Sequence, residues 1–227
     1  MTILAHRGCW ASENEKNSLS AIRRALEQGF GFESDIRDYR GKLVISHNIA
    51  DESSPEAEAV FKYLKEFGDR YCFAVNVKAD GLKELIGRAL KKYGVENYFL
   101  FDMSVPQMME FHGTGFIFFT RQSEAEREPV MYNEAAGVWL DGFWGVEWIT
   151  ERLLKAHLAA GKTVCLVSPE LHGRKDYREF WEKLRGYSID FGRVFLCTDY
   201  PEEAGRFFGK GMIQKGGVYE KNQSCPV

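Results

Sequence analysis

Short apolar runs alternate with amphipathic segments from one end of the chain to the other. The runs at 2–6, 30–39, 71–77, 98–101, 116–120, 138–140, 163–167 and 194–197 read as strands. Their near-continuous apolar character is that of strands covered on both faces. Between them, apolar residues recur at three- and four-residue spacings, as in Leu19, Ile22, Ala25 and Leu26 or Val60, Phe61, Leu64 and Phe67. That is the period of a helix with one buried stripe. Helices are expected from Leu19 toward Gly29 and at 55–67, 82–93, 105–112, 124–134, 148–160, 177–187 and 202–208. Gly41-Lys42 turns the second strand back into a short partner at 43–47. Eight strand–helix alternations with short connections predict an α/β chain closed into a single (β/α)8 TIM barrel. An open doubly wound sheet is the alternative. The barrel is expected over residues 1–211, with a polar, glycine-containing tail at 212–227.

Charge narrows the function classes. With 30 basic and 33 acidic residues the net charge is −3, so there is no basic field to hold nucleic acid. No stretch is long and apolar enough for stable membrane insertion. The five cysteines are odd in number and widely spaced, the pattern of scattered thiols in a reducing compartment. No signal-like leader precedes the first strand, and a cytoplasmic location is expected.

In a barrel the working groups sit at the C-terminal ends of strands. His6 and Arg7 end the first one. Glu33 and Asp35, at i and i+2, leave the same face of the second. Two carboxylates aimed together repel unless a cation lies between them, and an oxygen-rich pair suits Mg²⁺ or Ca²⁺ better than zinc. His47 closes the hairpin that follows. Taken singly, each has an ordinary structural explanation: a solvated carboxylate, a turn histidine. Their joint occurrence at neighbouring strand ends is what points to chemistry.

Ala5-His6-Arg7-Gly8, Asn17-Ser18, Glu33-Ser34-Asp35-Ile36 and Val44-Ile45-Ser46-His47 together resemble the signature of the glycerophosphodiester phosphodiesterases. That family shares its barrel with phosphatidylinositol-specific phospholipase C. The resemblance is specific over residues 3–48 and looser at Ala74-Val75-Asn76-Val77-Lys78 and Thr198-Asp199-Tyr200-Pro201. It implies metal-dependent hydrolysis of a small-molecule phosphodiester. His6 and His47 would be the acid–base pair, Glu33, Asp35 and Asn76 would hold a divalent ion, and Arg7 and Lys78 would neutralise phosphoryl oxygens. Three departures stand out. Asn76 replaces the family's usual glutamate and removes one negative charge; Lys16 stands near the mouth where the family has an acid; and the usual insertion after His47 is short.

Later strands add Asp102, Arg121, Asp141 and the Glu170-Leu171-His172 segment, each following an apolar run. Arg121 is the preferred further anion contact, and Asp141 and Glu170 are orienting acids on the substrate side. Two alternatives remain open: a phospholipase- or lyase-type enzyme releasing a cyclic phosphate, and a barrel that binds a phosphorylated ligand without turnover. Oligomeric state is not legible.

Overall fold

The structure, a computed structural model, describes residues 1–209; the expected tail at 212–227 lies outside the described residues. Nine strands and seven α-helices are found among them. The strands are β1 (Thr2–His6), β2 (Gly31–Tyr39), β3 (Lys42–Ile45), β4 (Phe73–Val77), β5 (Tyr98–Phe101), β6 (Phe119–Ser123), β7 (Gly137–Asp141), β8 (Thr163–Val167) and β9 (Val194–Thr198). The helices are α1 (Leu19–Glu27), α2 (Glu58–Phe67), α3 (Lys83–Tyr93), α4 (Val105–Phe111), α5 (Glu151–Ala159), α6 (Tyr177–Arg185) and α7 (Pro201–Phe207).

Eight parallel strands run around the barrel in the order β5-β4-β2-β1-β9-β8-β7-β6. The seam between β5 and β6 is closed by one bridge, Leu100 to Phe118, and by the Leu100 amide donating to the Ile117 carbonyl at 2.9 Å. β3 lies outside the ring as the antiparallel partner of the overhanging end of β2, with Ile36 opposite Ile45. The chain is therefore a nearly closed (β/α)8 barrel, and not the open sheet.

Two expectations fail here for local reasons. The sixth strand is displaced from 116–120 to Phe119–Ser123, so Arg121 lies within it and not in the following loop. No helix forms at 124–134. There the Ser123 hydroxyl accepts the amides of Ala125 and Glu126, Pro129 lacks a donor, and Met131 takes a positive φ of 54°.

Strand alternation sorts the interior into two cores. Outward-facing residues such as Ile3, Phe32, Phe73, Leu100, Val138 and Leu196 pack under the helices. Inward-facing Leu4, Ala74, Phe99, Phe101, Phe119, Trp139, Cys165 and Cys197 fill the barrel lumen. Rings dominate that plug: Phe99 stacks on Phe119 at 3.9 Å between centroids, and Phe101 on Trp139 at 3.8 Å. Four cysteines, Cys9, Cys72, Cys165 and Cys197, are free and buried, and burial pushes the Cys9 thiol up to about 12. No helix among the described residues is long and apolar enough to cross a membrane.

The plug leaves no room at Gly137, where an added Cβ would lie 2.5 Å from the Thr163 carbonyl oxygen and 2.6 Å from the Phe119 ring. Overpacking a well-filled core typically costs about 1–3 kcal/mol. Gly137→Ala is expected to lose that much in urea unfolding, and unchanged stability would show that the lumen is looser than these stacks imply.

Candidate active site

The alternation that builds the plug also fixes what stands above it. Leu4 faces the lumen, so His6 does too; Ala74 brings Asn76 inward, Phe119 brings Arg121, Trp139 brings Asp141 and Cys197 brings Asp199. On β2 the lumen-facing series is Gly31, Glu33, Asp35. Glu33 and Asp35 are almost completely buried.

Two residues reach this bowl only by breaking the alternation. Arg7 follows inward-facing His6 and Asp102 follows inward-facing Phe101, so extended backbone would turn both outward. Each adopts a left-handed conformation, with φ of 57° for Arg7 and 66° for Asp102, at a cost of roughly 1–3 kcal/mol apiece. Arg7 Nε thereby lies 3.0 Å from Asp35 Oδ2, an ion pair without hydrogen-bond alignment. Asp102 accepts from Lys78 Nζ at 2.7 Å and from the Arg121 guanidinium. Gly8 permits the turn after Arg7: its φ is 87°, and a Cβ would sit 2.5 Å from the Ala21 backbone.

Glu33 Oε1 accepts from Asn76 Nδ2 at 3.1 Å and Oε2 from the Arg7 amide at 3.2 Å. Asp35 Oδ2 accepts from Asn17 Nδ2 at 2.7 Å. Asn17, itself left-handed, also takes the Ser34 hydroxyl at 2.8 Å and gives its own amide to the Arg7 carbonyl at 3.0 Å. It thus stitches the loop after β1 to β2, while Ser18 next to it caps α1. Burial first, and then the Asp35 charge, push the Glu33 carboxyl up to about 7.

Asp35 and Asn76 are register partners on β2 and β4. Their oxygens Asp35 Oδ1 and Asn76 Oδ1 are both buried without a hydrogen-bond partner among the described residues, and Lys78 Nζ stands off at 3.6 Å from the first. Among the described residues no three His, Cys, Asp or Glu side chains form a metal cluster. Two carboxylates and one amide stand on neighbouring positions of β2 and β4, and the uncovered oxygens of Asp35 and Asn76 fit the hard ligands of a divalent cation.

His6 Nδ1 is 2.6 Å from Asp199 Oδ1. An ionised carboxylate only accepts, so Nδ1 carries the hydrogen and Nε2 is left free; it lies 3.9 Å from Glu33 Oε2. Burial raises the Asp199 pKa, but His6 and Lys16 outweigh it and hold the carboxyl below its ordinary value. Lys16 Nζ reaches Asp199 Oδ2 at 3.2 Å, so the basic departure in the loop balances a partly buried acid.

His47 stands apart. It is exposed after β3, with its Nδ1 3.0 Å from the Asn48 side-chain oxygen and its carbonyl accepting from Arg37. On the far wall Asp141 Oδ1 is 2.5 Å from His172 Nε2. Glu170 accepts from the Thr198 hydroxyl and the Asp199 amide, and burial raises its pKa. The positional roles of Asn17, Asp199 and Lys16 were not assigned from sequence, although Asn17 and Asp199 fall in the quoted motifs. His157 is buried between Tyr132 and Gln122, 2.9 Å from each, a satisfied core group. A recess of about 270 Å³ between α2 and α3, lined by Lys42, Phe61, Arg88 and Tyr93 among others, is on the barrel flank and holds none of these groups.

No protein-family model matches the chain, and no curated protein is significantly similar to it. Solved structures do match. A glycerophosphodiester phosphodiesterase from Parabacteroides distasonis superposes with a TM-score of 0.69 at 18% identity, covering 91% of this chain and 96% of that one. An Oleispira antarctica phosphodiesterase in complex with the product sn-glycerol-3-phosphate gives 0.65 at 14% identity, covering 91% and 96%. A second P. distasonis glycerophosphoryl diester phosphodiesterase gives 0.67 at 12%, covering 97% and 90%. The chain has the barrel fold of these phosphodiesterases along nearly its whole described length.

The Glu33 pKa has a consequence for stability. With the folded pKa near 7 and the ordinary value at 4.5, the advantage of keeping the proton is complete below 4.5 and is lost as pH rises through 7. Glu33→Gln stays neutral throughout. In chelator-treated protein its Tm is therefore expected to gain on wild type between pH 5 and pH 8; a constant difference would contradict a buried, raised carboxyl.

Proposed function

We propose that the protein is a phosphodiester hydrolase acting on small glycerophosphodiester-like substrates with a divalent metal ion, Mg²⁺ or Ca²⁺. One observation carries the reading. The orphaned oxygens of Asp35 and Asn76 lie beside Glu33 in the mouth of a phosphodiesterase-type barrel, next to a histidine whose tautomer is fixed by Asp199. The bound ion would supply charge neutralisation and polarisation of a phosphoryl oxygen.

The remaining work falls to the chain's own groups. His6 Nε2, free and lumen-facing, accepts the proton of the attacking water or hydroxyl, and Asp199 holds the imidazolium that results. Arg7 and Lys78, both within 4 Å of Asp35, can trade part of that contact for phosphoryl oxygens as charge builds there. Arg121 extends the positive wall. His47 is the second proton-transfer group that the resemblance implies, and from the rim it would need the substrate to reach it. With no stable membrane insertion and no basic field, a cytoplasmic role on dissolved esters is the consistent setting.

Asn76 favours a second reading, a barrel that binds a phosphorylated ligand without turnover, because the amide brings no charge to the metal. The experiment is hydrolysis of a glycerophosphodiester followed by phosphorus NMR, with Mg²⁺, with Ca²⁺ and after chelation. Metal-stimulated release of glycerol phosphate is expected, and a cyclic phosphate as end product would assign the lyase route. Binding without turnover under every condition would favour the second reading. His6→Asn is expected to lower turnover roughly 10²–10⁴-fold with its Tm retained; full activity would remove His6 from the reaction.

A further inference from the structure

We propose that Asp102 is a positioning residue for the cation site: it holds Lys78 away from Asp35 and so keeps Asp35 Oδ1 open to a divalent ion. The proposal rests on the phosphodiesterase reading above and concerns which of two positive groups, a lysine or a metal, meets that oxygen.

Lys78 follows β4 with the inward parity of Ala74 and Asn76, and its amide donates to the Ile36 carbonyl at 3.0 Å. Its stem therefore rises beside the strand that carries Asp35, and two carboxylates lie within reach of its end. Nζ donates to Asp102 Oδ2 at 2.7 Å but stops 3.6 Å from Asp35 Oδ1. The two oxygens of Asp35 are used unequally. Oδ2 takes the Asn17 side-chain amide at 2.7 Å and faces Arg7 Nε at 3.0 Å. Oδ1 is buried and, among the described residues, has no hydrogen-bond partner. A lysine on a flexible four-carbon stem and a bare carboxylate oxygen just beyond contact would close on one another if nothing restrained the lysine.

Asp102 is placed to restrain it. Extended backbone would turn this side chain outward, and only its φ of 66° brings it in, a strain that persists where the surroundings hold it. Its other oxygen, Oδ1, accepts from the Arg121 guanidinium, which is itself paired with Glu126. Asp102 is thus gripped from β6, across the seam closed by the Leu100–Phe118 bridge, and cannot follow Lys78 toward Asp35. The side chains of Lys78 and Asp102 are only 18% and 19% exposed, so salt screens the contact weakly.

Removing the Asp102 charge releases Lys78 to Asp35. At an effective dielectric near 20, shortening that contact from 3.6 Å to about 2.8 Å is on the order of a tenfold change in an equilibrium constant. A divalent ion would then have to displace an ammonium from Oδ1 before binding.

Calorimetric titration of the full chain with Mg²⁺ and with Ca²⁺ tests this without reference to turnover. Asparagine tolerates a left-handed φ, so Asp102→Asn keeps the backbone and removes the charge. It is expected to weaken cation binding roughly tenfold. Asp102→Gly, suited to the same φ, serves if Asp102→Asn fails to fold. Lys78→Met is expected to tighten cation binding, and adding Asp102→Asn to it is expected to change the affinity by less than about twofold, because no ammonium is left to release. A carboxylate that only attracts the ion through space would weaken binding equally in both backgrounds, and that result would overturn the proposal. An unchanged affinity in Asp102→Asn would overturn it too. Wild-type protein that binds the ion but hydrolyses no glycerophosphodiester would overturn the phosphodiesterase reading, and the double-mutant cycle would still decide the role of Asp102. Wild-type protein that binds neither ion would overturn both.

Discussion

Two carboxylates buried side by side on one strand govern the arrangement of the mouth. Spaced i and i+2 on extended backbone, Glu33 and Asp35 lie about 6.5 Å apart along the chain. At an effective dielectric near 20 their repulsion is roughly 2–3 kcal/mol, before any cost of leaving water. The neighbours answer that charge from every side: Arg7 and Lys78 with cations, Asn17 and Asn76 with amide hydrogens, Arg7 again with its backbone N–H. Even so, Glu33 is held near neutrality in its titration, and one oxygen of Asp35 is left bare. What the two cations leave unanswered is therefore an uncovered oxygen and not an excess of charge.

The apolar plug and the polar bowl follow from the same alternation. Each barrel strand contributes inward side chains in layers, and the change from apolar to polar occurs within a single step of two residues on β1, β4, β6, β7 and β9. Phe101 and Trp139 form the boundary, lying level with Asn76 and Arg121 in the strand register. Below them the lumen is packed with apolar side chains. Above them lie most of the titratable groups discussed here. A hydrocarbon floor of this kind lowers the local dielectric, which strengthens the contacts made to a bound anion and raises the cost of leaving any carboxylate unpaired.

How much of this could be read in the chain depends on which rule carried the signal. The barrel was legible because it repeats: strands covered on both faces and helices with one buried stripe recur often enough that a misplaced β6 and an absent helix at 124–134 do not disturb the count. Glu33 and Asp35 were legible as a pair because i and i+2 on a strand share a face, whereas Arg121 was expected in a loop and comes inward because β6 runs on to Ser123 with Phe119 below it. Arg7 was legible by motif alone, since parity turns it outward and only a left-handed φ brings it back. Asp199 and Lys16 were opaque: their pairing spans 183 residues of sequence, and nothing in either neighbourhood marks it. His47 is the reverse case, a residue prominent in sequence that the fold leaves on the rim.

The turn after β8 shows how a barrel can hold two distant groups in fixed relation without a loop long enough to cross the mouth. Pro169 fixes the first φ of the 3-10 turn, and Gly173 at φ 72° ends it. Within that span Glu170 reaches toward β9, where it fastens Thr198 and the backbone of Asp199, and His172 reaches toward β7, where it meets Asp141. The Ser168 hydroxyl before the turn takes the indole N–H of buried Trp181 at 2.9 Å, which anchors the turn to α6. A displacement of this one turn would therefore disturb the carboxylate behind His6 and the imidazole across the bowl together. That shared anchor is why the two carboxylate–imidazole pairs are better described as one device than as two neighbouring contacts, with the half-buried Glu170 as the group that joins them.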